Sequence, residues 1–357
     1  MSINIYLKTI IEHNIDTHEK IVQYKNDKLG LNTFISIHNT KFGPAAGGCR
    51  IKFYETELDA LNDALSLSKA MTYKNTIADL KYGGGKMVVI ANNLDLERDK
   101  NKIFKELGNF INDFGGQFRC GMDMGMNDEY FTLLSKHTNH LVGFVDGKIV
   151  NPSPVTAYGV YIALKEIAFY LCQKLDNFSF GIQGIGQVGK KVVKYLTNNH
   201  NVEIYVSDSD PNAFSNFDYS KYNIRSREKI YFVDNILDFK YDFFCPCAVG
   251  GIINNNNIDQ LKCHAIVGAA NNQLESDKLA IRLKERSIIY APDYVVNCGG
   301  VVYAAMKDNR KDEFEIAQKI NSIMDNVLYD IIEKSEETGL DTVTIANKIV
   351  EDKLTNV

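Results

Sequence analysis

The stretch FSFGIQGIGQVG (178–189), running into KKVVKYL (190–196), decides the fold of the second half of the chain. Phe178 to Gln183 alternates like a strand, the glycines at 184, 186 and 189 form GxGxxG, and a helix is expected from about Lys190. A strand, a glycine turn and a helix in that order let a pyrophosphate approach the backbone at a helix N-terminus. Gly184, Ile185, Gly186, Gln187, Val188 and Gly189 are therefore candidate nucleotide-binding residues. Asp208 stands 19 residues beyond Gly189, at the end of the next expected strand, where a carboxylate accepts from a ribose diol. Ser209, Asp210 and Pro211 offer no cation for a 2′-phosphate, so the expected cofactor is NAD rather than NADP.

Working outward, short apolar runs at 178–183, 203–207, 231–233, 243–246, 265–268 and 288–290 are separated by helix-length intervals. They read as a parallel, doubly wound sheet. Ahead of it lie a long helical stretch, 155–175, and the Gly- and Pro-punctuated VDGKIVNPSP, read as a linker. Behind it, 313–353 is expected to be helical and to return to the first half of the chain. That half is α/β as well, with strands expected at 34–37 and 87–91 and an amphipathic helix over 57–74, capped by Thr56 and Asp59. The division expected is 1–142, 143–335 and a C-terminal segment 336–357.

The first half holds MTYKNTIADLKYGGGK (71–86). Lys74 and Lys86 lie twelve positions apart, three glycines precede Lys86, and Met87 to Ile90 after it read as a buried strand. A lysine held at the edge of a core is expected to have a lowered pKa and to serve as an acid or base. The glycines are expected to let another molecule come against the backbone. Asp123, in CGMDMG (120–125), has apolar or tiny neighbours and reads as a shielded carboxylate. It could serve in proton exchange, cap a helix or brace a lysine.

Composition narrows the classes. The chain has 357 residues, long enough for two domains, and its net charge of −5 argues against nucleic acid as a general partner. No apolar run reaches the ~18 residues of a membrane span and no signal-peptide core is visible, so the expected location is cytoplasmic. The seven cysteines are scattered and the histidines dispersed, so neither a disulfide framework nor a metal site is expected.

The blocks GPAAGGCR (43–50), MTYKN (71–75), YGGGK (82–86), NPSPVTAYGVY (151–161), GIQGIGQVG (181–189), CPCAVGG (245–251), GAANNQL (268–274) and YAPDYVVNCGGVV (290–302) stand in the order of a known family. The chain resembles the leucine, phenylalanine and valine dehydrogenase branch of the amino-acid dehydrogenases over most of its length, with the 151–161 block nearer to the leucine enzymes. The resemblance implies two domains with a cleft between them, an N-terminal α/β catalytic and oligomerisation domain and a Rossmann NAD-binding domain. It also implies a homo-oligomer and reversible oxidative deamination of a hydrophobic L-amino acid to the 2-oxo acid and ammonia. By position, Lys86 and Asp123 would be catalytic. Lys74, Gly47, Gly48, Ala46, Asn272, Val301 and Ala304 would bind substrate, with Asn272 also at the nicotinamide ribose. Thr156 would touch the nicotinamide amide or simply cap the following helix; Ala248 would lie near the adenosine ribose or belong to the core.

Some positions depart from the family. Ala46, Gly121 and Ala304 are smaller than usual, which enlarges the implied side-chain pocket at about 0.8 kcal/mol per missing methylene. Met126 and Cys49 also differ. These departures point to a substrate bulkier than valine, leaving leucine, phenylalanine or tryptophan open. The rival enzyme, a hydroxy-acid dehydrogenase, would need a His paired with an acid, and no block contains one. A non-catalytic NAD sensor would have lost Lys86 or Asp123, and both are present.

Overall fold

The computed structural model describes residues 8–218, 220 and 229–356. The chain divides into two units, one of 1–150, 304–310 and 353–357, the other of 151–303 and 311–352. Residues 336–352 thus lie in the second unit.

The first unit is built on a mixed six-stranded sheet. Its strands are β1 (Lys8–His13), β2 (Lys20–Asn26), β3 (Leu31–Asn39), β4 (Ala45–Lys52), β5 (Gly83–Ile90) and β6 (Phe118–Met122), in the order β1-β2-β3-β5-β4-β6. β4 runs parallel to both β5 and β6, which align side chains in rows across the three strands. One face carries the larger core, where Ile35, Ala45, Cys49, Met87, Phe118 and Cys120 meet Ile103, Phe104 and Leu107 of helix α2 (Leu96–Asn112). The other face is covered by helix α1 (Glu57–Ile77), whose Ala60 and Ala64 pack with Phe34 and Val88. α1 starts where expected, because the Thr56 hydroxyl accepts from the Asp59 amide at 3.1 Å while the Asp59 carboxylate accepts from the Thr56 amide at 3.0 Å.

The segment read as a linker contains a hairpin instead, β7 (Phe144–Val145) with β8 (Lys148–Ile149). Asp146 and Gly147 take positive φ of 51° and 75°, the backbone of an Asp-Gly hairpin turn. Each strand is only two residues long, too short to leave an alternating pattern.

The second unit holds β9 (Ser179–Gln183), β10 (Glu203–Ser207), β11 (Ile230–Phe232), β12 (Phe243–Pro246), β13 (Ala265–Ile266) and β14 (Ile289–Tyr290). All pair in parallel in the order β11-β10-β9-β12-β13-β14, the doubly wound arrangement the sequence implies. Phe180, Ile182, Phe243 and Phe244 are buried at its centre. The expected C-terminal helix is interrupted: Gly339, at φ 74°, ends Tyr329–Thr338, and Thr342–Thr355 starts afresh. No described helix is long and apolar enough to cross a membrane.

Candidate active site

Three rows cross the α1-covered face of the first sheet. Ala46 of β4 pairs with Gly84 on one side and Arg119 on the other, Gly48 pairs with Gly121, and Arg50 pairs with Val88. Lys86 lies on β5 between Gly84 and Val88, and Asp123 lies directly after the last residue of β6. Opposite charges are thereby gathered at one end of the face.

Lys86 is only 5% exposed, and its Nζ donates to Asp123 Oδ2 at 2.6 Å. Arg50 Nε donates to the same oxygen at 2.9 Å, while its Nη1 reaches both oxygens of Asp63 on α1 at 3.0 and 3.3 Å. The Tyr54 hydroxyl donates to Asp63 Oδ2 at 2.6 Å. A chain of charge-assisted hydrogen bonds thus runs from Lys86 through Asp123 and Arg50 to Asp63 and Tyr54. Desolvation works to raise the Asp123 carboxyl, but the Lys86 and Arg50 charges and the Lys86 hydrogen bond outweigh it and hold the carboxyl below its ordinary value. Burial, aided by the hydrogen bond to Asp63, lifts the Tyr54 phenol well above its ordinary value. Asp123 is thus placed against Lys86 and Arg50, with its other oxygen not engaged by either cation.

Sequence reading missed Arg50. It stands among Ala, Gly, Cys and Ile in GPAAGGCRI, and an arginine inside an apolar strand was the available signal.

The three glycines before Lys86 serve another purpose than expected. A Cβ on Gly84 would lie 2.2 Å from the Thr72 amide nitrogen of α1, one on Gly83 1.8 Å from the Asn39 carbonyl, and one on Gly85 2.8 Å from the Phe118 ring. The space belongs to the chain itself. These glycines let α1 and the neighbouring segments close onto β5, which fixes the root of Lys86. Gly48 acts alike, since its Cβ would come within 2.7 Å of the Asp123 Cβ, and one on Gly47 would lie 1.7 Å from the Gly85 carbonyl oxygen. Lys74 lies half-buried in the last turn of α1, and Asn75 beside it donates to the Gly83 carbonyl at 2.7 Å. At Gly121, by contrast, the nearest atom to a Cβ is the Val142 carbonyl oxygen at 3.6 Å, leaving room. Ala304 belongs to the same unit, and its Cβ would be 3.5 Å from one on Gly143. Met126 and Cys49 are both buried in the larger core, on the sheet's other side.

In the second unit, the turn between β9 and helix α5 (Gly189–Asn199) has the form the motif requires. Gly184 has φ 88° and a Cβ there would strike Ala248 at 2.7 Å; a Cβ on Gly189 would strike the Gly184 carbonyl oxygen at 1.9 Å. Beside Gly186 a Cβ would meet nothing within 4 Å, so this glycine faces open space at the start of the helix. Asp208 closes the turn by accepting from the Ile185 amide at 2.8 Å and the Asp210 amide at 2.9 Å. Gln187 accepts from Lys191, and Val188 directly precedes α5. A bare shelf, a helix N-terminus and a carboxylate on the adjacent strand fit a dinucleotide. Ala248 is exposed and borders this turn. Thr156 gives its hydroxyl to the Pro152 carbonyl at 3.1 Å, and Val301, on the helix Gly299–Asp308, is half-buried. Asn272 is exposed at φ 51°, its amide donating to Asp293 at 2.5 Å. Among the described residues, no three His, Cys, Asp or Glu are grouped to hold a metal.

Comparison with known proteins agrees with this arrangement. Residues 13–140 match the Glu/Leu/Phe/Val dehydrogenase dimerisation domain, and 212–356 match Glutamate/Leucine/Phenylalanine/Valine dehydrogenase. The phenylalanine dehydrogenase of Caldalkalibacillus thermarum is 36% identical over 98% of this chain and 94% of its own. The leucine dehydrogenase of Thermoactinomyces intermedius is 35% identical over 94% and 91%. The crystal structure of L-tryptophan dehydrogenase from Nostoc punctiforme superposes with a TM-score of 0.81 at 32% identity, covering 95% of this chain and 96% of that one. The chain belongs to the Glu/Leu/Phe/Val dehydrogenase family and is an amino-acid dehydrogenase, an oxidoreductase acting on CH–NH2.

Proposed function

We propose that this member of the family uses NAD to deaminate an L-amino acid with a bulky hydrophobic side chain, releasing the 2-oxo acid and ammonia. The observation that carries the reading is the Lys86 to Asp123 ion pair, on a sheet face beside glycines whose added Cβ atoms would clash with the chain itself. When bound, the oxidised nicotinamide supplies the acceptor for the Cα hydrogen and its bonding electrons.

The remaining work falls to side chains. Lys74 fixes the substrate carboxylate. Asp123, ionised because two cations attend it, takes a proton from the substrate ammonium. After Cα is oxidised to the iminium, Lys86 in its neutral form takes a proton from the water that adds to that carbon. Asp123 returns its proton to the departing nitrogen, the hydroxyl on Cα gives its proton to the ammonia released as the carbonyl forms, and Lys86 holds the one left over, so that amino acid, water and oxidised cofactor yield oxo acid, ammonium, reduced cofactor and one proton. Asn272 and Thr156 serve the nicotinamide end. Gly184 to Gly189, with Ala248 beside them, cradle the pyrophosphate, and Asp208 accepts from the ribose diol. The carboxylate of Asp208 favours NAD over NADP, since it repels a 2′-phosphate.

Relatives acting by name on phenylalanine, tryptophan and leucine stand at nearly equal identity, so they do not rank the side chain. The small residues Ala46, Gly121 and Ala304 favour an aromatic ring over valine. The 151–161 block supports a second reading, leucine. In either case the dimerisation-domain match supports a homo-oligomer. The test is formation of reduced nicotinamide with single L-amino acids, with Lys86→Ala beside the unaltered enzyme. Undiminished activity in Lys86→Ala would remove that residue from the chemistry.

A further inference from the structure

Among the buried polar atoms of the first unit without a hydrogen-bond partner are Arg119 Nε and Asp308 Oδ2. They belong to one cluster. Arg119 hydrogen-bonds the buried Tyr82 phenol, and the Arg119 and Asp308 charges act on each other, yet no hydrogen bond joins them. Asp308 Oδ1 accepts from the Gly143 amide at 3.2 Å, which leaves Oδ2 over. Leaving such atoms bare costs ~1–3 kcal/mol each, so a group able to pair with both has an advantage there.

The cluster lies in line with the reacting groups. Arg119 is the strand neighbour of Ala46, in the row next to the one holding Gly48 and Gly121, and Lys86 is two residues along β5 from the Ala46 partner Gly84. Lys86 and Arg119 are thus offset by roughly 6.6 Å along the strands and by the two strand spacings either side of β4, roughly 9.6 Å, across them, a gap that a tyrosine side chain and the arginine's own arm bridge together. The strip between carries almost no side-chain bulk: Ala46, Gly121, Gly143 and Ala304 border it, and a Cβ added at Gly121 would touch only the Val142 carbonyl, at 3.6 Å. Asp308 is one helical turn beyond Ala304.

Resting on the proposed deamination at Lys86 and Asp123, we infer that the substrate's side chain is a flat ring bearing a distal hydroxyl, as in L-tyrosine, which donates to Asp308 and accepts from Arg119. The charges of Arg119 and Asp308 balance, so a neutral group that both donates and accepts suits the pair. A side-chain carboxylate would meet Asp308 and an amine would meet Arg119. Sites built to bond a substrate hydroxyl discriminate strongly against the analogue lacking it.

The experiment compares L-tyrosine, L-phenylalanine and O-methyl-L-tyrosine in two readouts on the full chain, kcat/KM with NAD and the rise in Tm on binding. Expected is a kcat/KM for L-tyrosine more than ~10-fold above that for either analogue, and the largest Tm rise with L-tyrosine. Arg119→Met should bring the kcat/KM ratio of tyrosine over phenylalanine down to about one. Phenylalanine equal to or better than tyrosine in the unaltered enzyme overturns the inference without touching the deamination reading, and needs no variant to fold. If no amino acid is turned over, the deamination reading fails, and the ranking of Tm shifts still decides this one.

Discussion

The chain carries two glycine clusters beside a functional group, GGGK at 83–86 and GIGQVG at 184–189, and although both pack tightly against the chain elsewhere, the second leaves Gly186 facing open space. At Gly83, Gly84 and Gly85 every added Cβ would run into the protein's own Asn39, Thr72 or Phe118. At Gly186 it would run into nothing. The first cluster buys close internal approach, which roots a lysine; the second keeps a shelf bare at a helix start. A run of glycines in a sequence marks proximity, and only the surrounding fold tells whether the neighbour is the chain or a ligand.

Substitutions can break or sharpen this contrast. The largest effect is expected from Lys86→Ala, which should lower kcat by ~10³-fold or more as the group proposed to move the water proton is lost. Steady-state kinetics read it, and a fall under tenfold would mean the first cluster roots something other than the chemistry. Next comes Gly84→Ala, which sets a methyl against the Thr72 backbone and should cost about 3 kcal/mol of stability by denaturant titration. Gly186→Ala should change stability by less than ~0.5 kcal/mol while raising the KM for NAD; equal destabilisation by the two alanines would erase the distinction. Smaller again, Asp208→Asn should shift the ratio of kcat/KM for NAD over that for NADP about tenfold toward NADP, or ~1.4 kcal/mol.

A separate effect is expected in acid. His38 bonds Thr72 on α1 at 2.8 Å, and desolvation, with the nearby His18 and Lys69 charges, lowers it from 6.5 to about 4. A base whose folded value is depressed takes up its proton more readily when unfolded. The stability it protects is whole above pH 6.5 and drains away as pH falls toward 4. His18 is lowered as well, chiefly by desolvation, and adds to the slope. Tm measured between these limits should fall with acid, and His38→Asn should flatten part of the decline. A slope unchanged in that variant would clear His38 of the effect.

Much of this was legible in the sequence, for definite reasons. The β9 turn could be read because a short motif came with a strand before it, a helix after it and an acid at the right distance. Lys86 and Asp123 stood out as charges in apolar surroundings. β4 and β6 left no clear signal, because AAGGCRIK and FRCGM interrupt their apolar pattern with glycines and an arginine that serve the charged face. Arg50 went unread for the same cause, since its partners Asp63 and Asp123 lie 13 and 73 positions away. The hairpin at 144–149 was too brief for periodicity, although Asp146-Gly147 named its turn.

The sharing of one Asp123 oxygen between Lys86 and Arg50 bears on how this protein can change over generations. Two cations and two carboxylates, Asp123 and Asp63, balance within a poorly hydrated pocket, so losing any single member strands a charge at a cost of ~3 kcal/mol or more. Descendants of this lineage would therefore shed Arg50 and Asp63 as a couple or retain both, and mutational drift at one should wait upon the other.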